Sequence, residues 1–270
     1  MTRRLFAQVA SLQARKLMSY RTNFWIGAVL TFFVEIAVAY FLWAAIFRET
    51  GDERIGGFSL RAMVIYYIAA ILLGKLVRGD ERDLSISTDI YEGSLTRYLL
   101  YPTSYFWFKY AEHLGSLIPA LVQLVLFGAI SLVLLELPPD VTITPATAAM
   151  AAASVVVANL LHFLLLYPLQ GVAFWADNVW SLNVMFRFAS QMLGGLLLPL
   201  SLFPGWSQPL LDALPFAYLF YFPVMVLLGK VSPVEWATGL AISIAWCAAL
   251  ALVSHAIWRR GRLVYTGVGI

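Results

Sequence analysis

Charge is what this sequence has least of. Only 12% of its 270 residues are Asp, Glu, Lys or Arg, against 61% hydrophobic, whereas a soluble domain carries about a quarter charged residues. With a mean hydropathy of +0.80, the chain is built for lipid as its solvent. Cysteine is nearly absent too. The one thiol, Cys247, excludes an intrachain disulfide and a metal cluster of the cysteine type, and its apolar surroundings, AISIAWCAAL, mark it as buried and inert. No GxxxxGK(S/T) loop occurs. Gly74-Lys75 and Gly229-Lys230 lack the upstream glycine and the following hydroxyl that a phosphate cradle needs. HExxH, GxSxG and paired-cysteine spacings are missing as well, and His113, His162 and His255 are too scattered to imply a metal site. The sequence therefore predicts no catalytic residue and no bound metal. A net charge of +3 is too small for a nucleic-acid footprint.

What is present is a set of long apolar runs. A bilayer core takes about 20 apolar residues in helical form, and six runs qualify: 24–47, 60–77, 114–137, 145–167, 186–203 and 234–258. The residues before Phe24 are too mixed for a cleavable signal peptide. A seventh stretch, Leu214 to Gly229, is short and split by Pro223, which suits a re-entrant segment better than a span. Positive charge orients the chain. With six spans and the N-terminus inside, fourteen basic residues lie inside: Arg3, Arg4, Arg15, Lys16, Arg21, Lys75, Arg78, Arg82, Arg97, Lys109, Arg187, Arg259, Arg260 and Arg262. Arg48, Arg54, Arg61 and Lys230 lie outside. A seventh span would weaken that bias by moving the WRRGR cluster outside. The expected fold class is an all-α integral membrane protein with both termini cytoplasmic.

Two cytoplasmic pieces stand out. Residues 1–23 place Arg4, Gln8, Ser11, Arg15, Ser19 and Thr22 in one polar row opposite Leu5, Phe6, Val9, Leu12 and Leu17. This is an in-plane amphipathic helix suited to an anionic leaflet. Residues 88–105, TDIYEGSLTRYLLYPTSY, carry Tyr91, Leu95, Tyr98 and Leu99 on one helical face and Asp89, Glu92 and Thr96 on the other, and Pro102 ends the helix. Such a piece either rests on lipid headgroups or docks a cytoplasmic partner.

Polar residues inside the spans are the candidates for a pathway. Glu35, midway along the first span, is costly in lipid by roughly 2.5–3.5 kcal/mol. It must face a neighbouring helix, a subunit interface or water, as a substrate contact or as hydrogen-bonded glue. Asn159 and His162 share a helical face and are its expected partners, with Gln123 and Gln191 as lesser candidates. Between spans five and six, residues 204–230 and the exit before them hold Pro199, Pro204, Gly205, Trp206, Pro209, Pro215 and Pro223. Prolines free backbone groups that protein or water must satisfy at membrane depth. The result is an outer gate or a rigid plug.

This layout resembles the permease subunit of a type-2 ABC (ATP-binding cassette) exporter. In that family the loop after span two reads E-x-G-T-L-x-x-L-L-x-x-P-x-S. Here Glu92-Gly93-Ser94-Leu95 leads to Leu99-Leu100-Tyr101-Pro102-Thr103-Ser104, with Glu92 next to Gly93 and Ser94 in place of Thr. The run from Gly195 through Pro199 and Pro204 to Trp206 is similar to the family's G-x-x-x-P-x-x-x-x-P-x-W, and LPFAY follows at Leu214. Phe174-Trp175 and the tail RLVYTGVG, 262–269, fit as well. The resemblance implies six spans, a coupling helix in 88–105, and an extracellular re-entrant hairpin. It also implies a separate cytoplasmic ABC ATPase subunit that holds ATP and Mg, and a second permease chain, the same or related, in the cell membrane of a prokaryote. Tyr91, Glu92, Gly93, Leu95, Arg97, Tyr98 and Pro102 would form the coupling segment, with Glu92 and Arg97 as the polar contacts to the ATPase and Tyr91, Leu95 and Tyr98 as an apolar face that meets the ATPase or rests on the permease itself. An apolar or amphipathic transported molecule would suit an apolar pathway, and Glu35 would tolerate a cation. Two other readings stay open: an intramembrane transferase using Glu35, His162 and Asp177, and a non-transporting membrane anchor for a cytoplasmic complex.

Overall fold

The computed structural model describes residues 1–19, 21–79 and 86–267, leaving aside the side chains of 21–23. Arg82, the Arg21 side chain and the last residues of the RLVYTGVG tail lie outside the described residues. Among those described, eleven α-helices carry the fold: α1 (Arg3–Leu17), α2 (Arg21–Thr50), α3 (Leu60–Arg78), α4 (Ile86–Tyr91), α5 (Leu95–Leu99), α6 (Tyr105–Leu134), α7 (Pro145–Gly171), α8 (Trp180–Leu193), α9 (Gln208–Ala213), α10 (Tyr221–Leu227) and α11 (Pro233–Val264). Five segments are long and apolar enough to cross a membrane: Phe24–Thr50, Leu60–Arg78, Tyr105–Leu134, Pro145–Phe174 and Pro233–Val264.

These helices outrun the apolar stretches that announce them, because hydrogen bonding ends at caps rather than where hydropathy falls. The expected span 114–137 begins nine residues early, at Tyr105, directly after Ser104. α7 opens on a Thr144–Thr147 capping box and α11 on a Ser232–Glu235 box, each followed by proline at the first helical position, where its missing N–H costs nothing. α3 stops at Gly79, whose φ of 60° suits glycine.

Side-chain pairs fix how the helices run. Lys75 meets Gln123, and Arg61 meets Glu136, so α3 and α6 are antiparallel. α6 and α7 are antiparallel as well, with Phe106 against Tyr167 and Tyr110 against Asn159. α7 and α11 run parallel. Trp236 Nε1 donates to the Met150 carbonyl near their starts, and Ile257 packs on Gly171 near their ends. α1 crosses the start of α6 so closely that a Cβ on Gly115 would overlap the Ala10 backbone. One end of the bundle therefore gathers α1, α4, α5 and the close of α11. The opposite end gathers the α2–α3 and α6–α7 connections.

Parallel α7 and α11 require the chain between them to travel back along the bundle. The fifth run, expected as 186–203, is not one helix. α8 ends at Leu193, where Gly194 and Gly195 (φ 85°) turn the chain. Its 14 residues span about 21 Å, short of a bilayer core of about 30 Å. After an excursion through two 3₁₀ turns, α9 and a third turn, the chain returns to where it left, and Tyr221 N donates to Gly194 O at 2.8 Å. α10 then continues toward the α6–α7 connection for 7 residues, reaching Thr142, whose N–H donates to Leu228 O, and Asp140, 3.8 Å from Lys230. α8 and α10 thus make the return in two halves, together roughly 31 Å.

The excursion turns many backbone groups away from helical partners, and side chains take them up. The Tyr66 hydroxyl donates to Gly195 O and Tyr67 to Leu197 O. Gln208 Nε2 reaches Leu200 O and Phe203 O, Tyr218 reaches Asp212 O, and Trp246 Nε1 reaches Ala213 O. Beneath it, Leu219, Phe220, Val224 and Leu228 are buried in the main core with α3 and α7. Tyr66→Phe leaves the Gly195 carbonyl buried without that donor, and we expect a loss of about 1–3 kcal/mol. Unfolding in detergent measures it, with the exposed Tyr40→Phe unchanged.

Candidate functional site

The stretch 88–105 joins the long helices α3 and α6, and its local rules break it in two. Gly93, at φ 71°, interrupts the helix, so α4 and α5 replace the single amphipathic helix expected there. The break resets the helical wheel. Asp89, expected on the polar face, is buried, and Leu99, expected on the apolar face, is exposed.

Burying Asp89 demands partners, and it has three. Its Oδ2 accepts from the Tyr105 hydroxyl at 2.7 Å and lies 2.7 Å from Lys109 Nζ, while Oδ1 accepts from Ser94 Oγ at 2.8 Å. Lys109, whose side chain is 3% exposed, also pairs with Glu112 at 3.1 Å. Its ammonium sits 5.1 Å from the Tyr98 ring centre and 5.6 Å from that of Tyr105, within cation–π range. Burial raises the Tyr98 phenol above its ordinary value, against the pull of Lys109. The α4 start is held from α7, where the buried Gln170 side chain accepts from Ile86 N at 3.0 Å and Ser87 N at 3.3 Å. These are orphan donors that every helix start must place.

An aromatic stack ties this unit to α11. Tyr105 lies flat on Trp258 with centroids 4.8 Å apart, and Tyr167 and Phe174 pack on the same indole. Gly261 leaves room for the Phe174 ring, and the Tyr265 hydroxyl bonds Thr96 Oγ1 at 3.0 Å. A groove of about 330 Å³ opens between Tyr91, the 173–177 loop and Tyr265. With its back fixed, the segment presents Glu92, Thr96, Arg97, Leu99, Leu100, Tyr101 and Pro102 to solvent, Leu100 at 80% exposure. Leu95 is buried, and Tyr91, Gly93 and Tyr98 are half-buried.

The expected pathway residues are not brought together. Glu35 lies on an exposed face of α2 and acts electrostatically on Lys75, which also donates to Gln123 at 3.0 Å. Asn159 turns inward instead. Its Nδ2 reaches Leu76 O at 2.9 Å and Val77 O at 3.1 Å, and lies 2.8 Å from His113 Nε2, so it closes the end of α3 and is not Glu35's partner. His162 is fully buried against Phe186. Gln191 is half-buried, and its carbonyl accepts from Leu196 and Leu197. Of the outer residues, Pro199, Pro215 and Pro223 are buried, while Pro204, Gly205 and Trp206 face solvent. Glu35, His162 and Asp177 occupy three separate surroundings, and Asp177 lines the groove beside Tyr91.

Sequence reasoning missed Asp89, Lys109, Tyr105, Gln170 and Trp258. The i,i+3 spacing of Lys109 and Glu112 was a usable signal; the link from Asp89 across the turn was not.

Removing Lys109 strands two carboxylates in a buried site. Lys109→Met should destabilise the protein by about 3–5 kcal/mol. Adding Asp89→Asn should recover part of that, measured as a double-mutant cycle on unfolding in detergent.

Among curated proteins and among solved structures, nothing matches the chain significantly. Residues 33–269 match the family described as ABC-2 family transporter protein. The match covers most of the chain and agrees with the multi-pass helical fold, so the chain belongs to the ABC-2 transporter family, as a permease subunit of an ATP-binding cassette transporter.

Proposed function

We propose that this permease is an exporter subunit whose α4–α5 unit couples it to a separate cytoplasmic ATPase that binds ATP and Mg. The carrying observation is the contrast between the two faces of that unit. Its back is bolted to α6 and α7 by Asp89, Lys109 and Gln170, while its front offers Glu92 and Arg97 around exposed Leu99 and Leu100. A lipid-surface helix needs no such rigid mounting. A part that must transmit force does, because slack at its base would absorb the stroke. Tyr91, Gly93, Leu95, Tyr98 and Pro102 then serve as frame, shaping the front without forming most of it.

On this reading α8 and α10 together are the sixth crossing, 204–220 is a re-entrant outer segment, and α1 lies in the membrane plane. The α1 end, which carries most of the basic residues, faces the cytoplasm by the positive-inside rule, and the membrane is the cell membrane of a prokaryote. A second permease chain, the same or related, completes the transporter. The apolar walls suit an apolar or amphipathic substrate.

Purification with the cognate ATPase tests the coupling surface. The wild-type chain should retain it and alter its ATP turnover. Glu92→Ala with Arg97→Ala should lose at least tenfold in retention or coupling without a change in melting, since neither side chain is buried. Full retention and coupling in the double variant would overturn the assignment.

A further inference from the structure

The seam where α2, α3 and α6 meet has a cleft at each end. At the α1 end a cleft of about 480 Å³ is bounded by Gly27, Ala28 and Thr31 of α2, Lys75 of α3, and Pro119 and Gln123 of α6. At the opposite end a second, also about 480 Å³, lies between Tyr40, Leu60 and Leu134, with the Arg61–Glu136 pair beside it. Between the two, Phe32 stacks on Phe127 with centroids 4.3 Å apart and rings within 10° of parallel, closed in by Ile68, Ile71 and Leu72.

The first cleft has a chemistry that the second lacks. α3 is otherwise almost wholly apolar and buried, yet it sends one ammonium into this space. Among the described residues, Gln123 is its one hydrogen-bond partner, and an ammonium has three hydrogens to donate. Gln123 spends its oxygen on that bond, which leaves its amide hydrogens for another acceptor. Glu35 acts on Lys75 from α2 without lining the cleft. Lys75 and Gln123 thus turn several donors toward this space. The mouth is open, since a Cβ on Gly27 would meet nothing within 4 Å. Beside it, Ile26 and Leu30 of α2 and Ile118 and Val122 of α6 are exposed and apolar. An acceptor with a negative charge fits the floor, and a hydrocarbon tail fits the flanks.

We propose that this cleft binds the anionic headgroup of a membrane amphiphile, with phosphate or carboxylate oxygens on Lys75 and Gln123 and the tail along α2 and α6. The site needs only a chain seated in a bilayer and stands apart from the coupling surface. The Phe32–Phe127 stack closes it toward the opposite end.

The test uses the full chain in phosphatidylcholine nanodiscs, with electron spin resonance of spin-labelled phosphatidylglycerol and, in parallel, spin-labelled stearate. The immobilised fraction of at least one anionic probe should exceed that of labelled phosphatidylcholine by about fivefold, as expected for one lysine at a lipid surface. A preference for phosphatidylglycerol assigns the site to a bilayer phospholipid, and a preference for stearate assigns it to a fatty carboxylate. Lys75→Gln should bring the ratio to one, and Lys75→Arg should keep it. Gly27→Trp, placed in open space, should displace both anionic probes without disturbing the fold. A wild-type ratio of one with both probes, or a preference unchanged in Lys75→Gln and Gly27→Trp, would overturn the proposal.

Discussion

A helix that stops inside lipid leaves carbonyls with no water to accept from, and most of the irregular part of this protein is an answer to that constraint. α7 and α11 run parallel, so the chain must return between them. It does so as two half-helices that meet where Tyr221 N donates to Gly194 O. Several carbonyls freed by the interruption are matched by a phenol, an amide or an indole. Those bonds also constrain any motion here. A gate at this end has to exchange them for others or move the whole segment as a body, because breaking one in place costs about 1–3 kcal/mol.

At the other end the same rule acts on charge. A buried ion pair adds little net stability over an apolar substitute, but it tolerates one arrangement of its partners. Asp89, Lys109 and Glu112 fix the height and rotation of α4–α5 against α6, and Trp258 carries that registration to α11. Apolar packing alone would let two helices this short slide, and Gly93 between them would let each turn independently.

The long helices were legible because about twenty apolar residues in a row have few other solutions, but hydropathy alone put the start of α6 nine residues late, at 114 instead of Tyr105. Nothing local marked the broken return. The run 186–203 read as one span, whereas α8 ends at Leu193 and α10 begins at Tyr221, and the meeting of Phe220 with Gly194 is decided by what α3 and α7 leave open. Leu99 failed for a related reason. A helical wheel assumes one helix, and a single positive φ at Gly93 redistributes every face after it, while Asp89, before that break, is buried by Tyr105 and Lys109 from across the turn. Among the polar residues of the spans, Gln123, Asn159 and His162 are buried and Glu35 is exposed, and type alone did not name the partner. Asn159 found the end of α3, a backbone target with no signature in sequence.

α7 is the element on which these parts converge. Its first half supports α10, Asn159 closes α3, Gln170 starts α4, and its length runs beside α11. A displacement entering at α4–α5 would therefore reach α3, α6, α7 and α11 as one block with little room for internal slip. α2 is the exception. It is mostly exposed, and among its described residues the buried side chains are Phe32, Ala39 and Trp43. Where a rigid block meets a helix held by so few contacts, relative motion concentrates at their seam. In this chain that seam is the one holding both clefts and the stacked phenyl rings between them, so a change in the block's position would act first on whatever occupies Lys75 and Gln123.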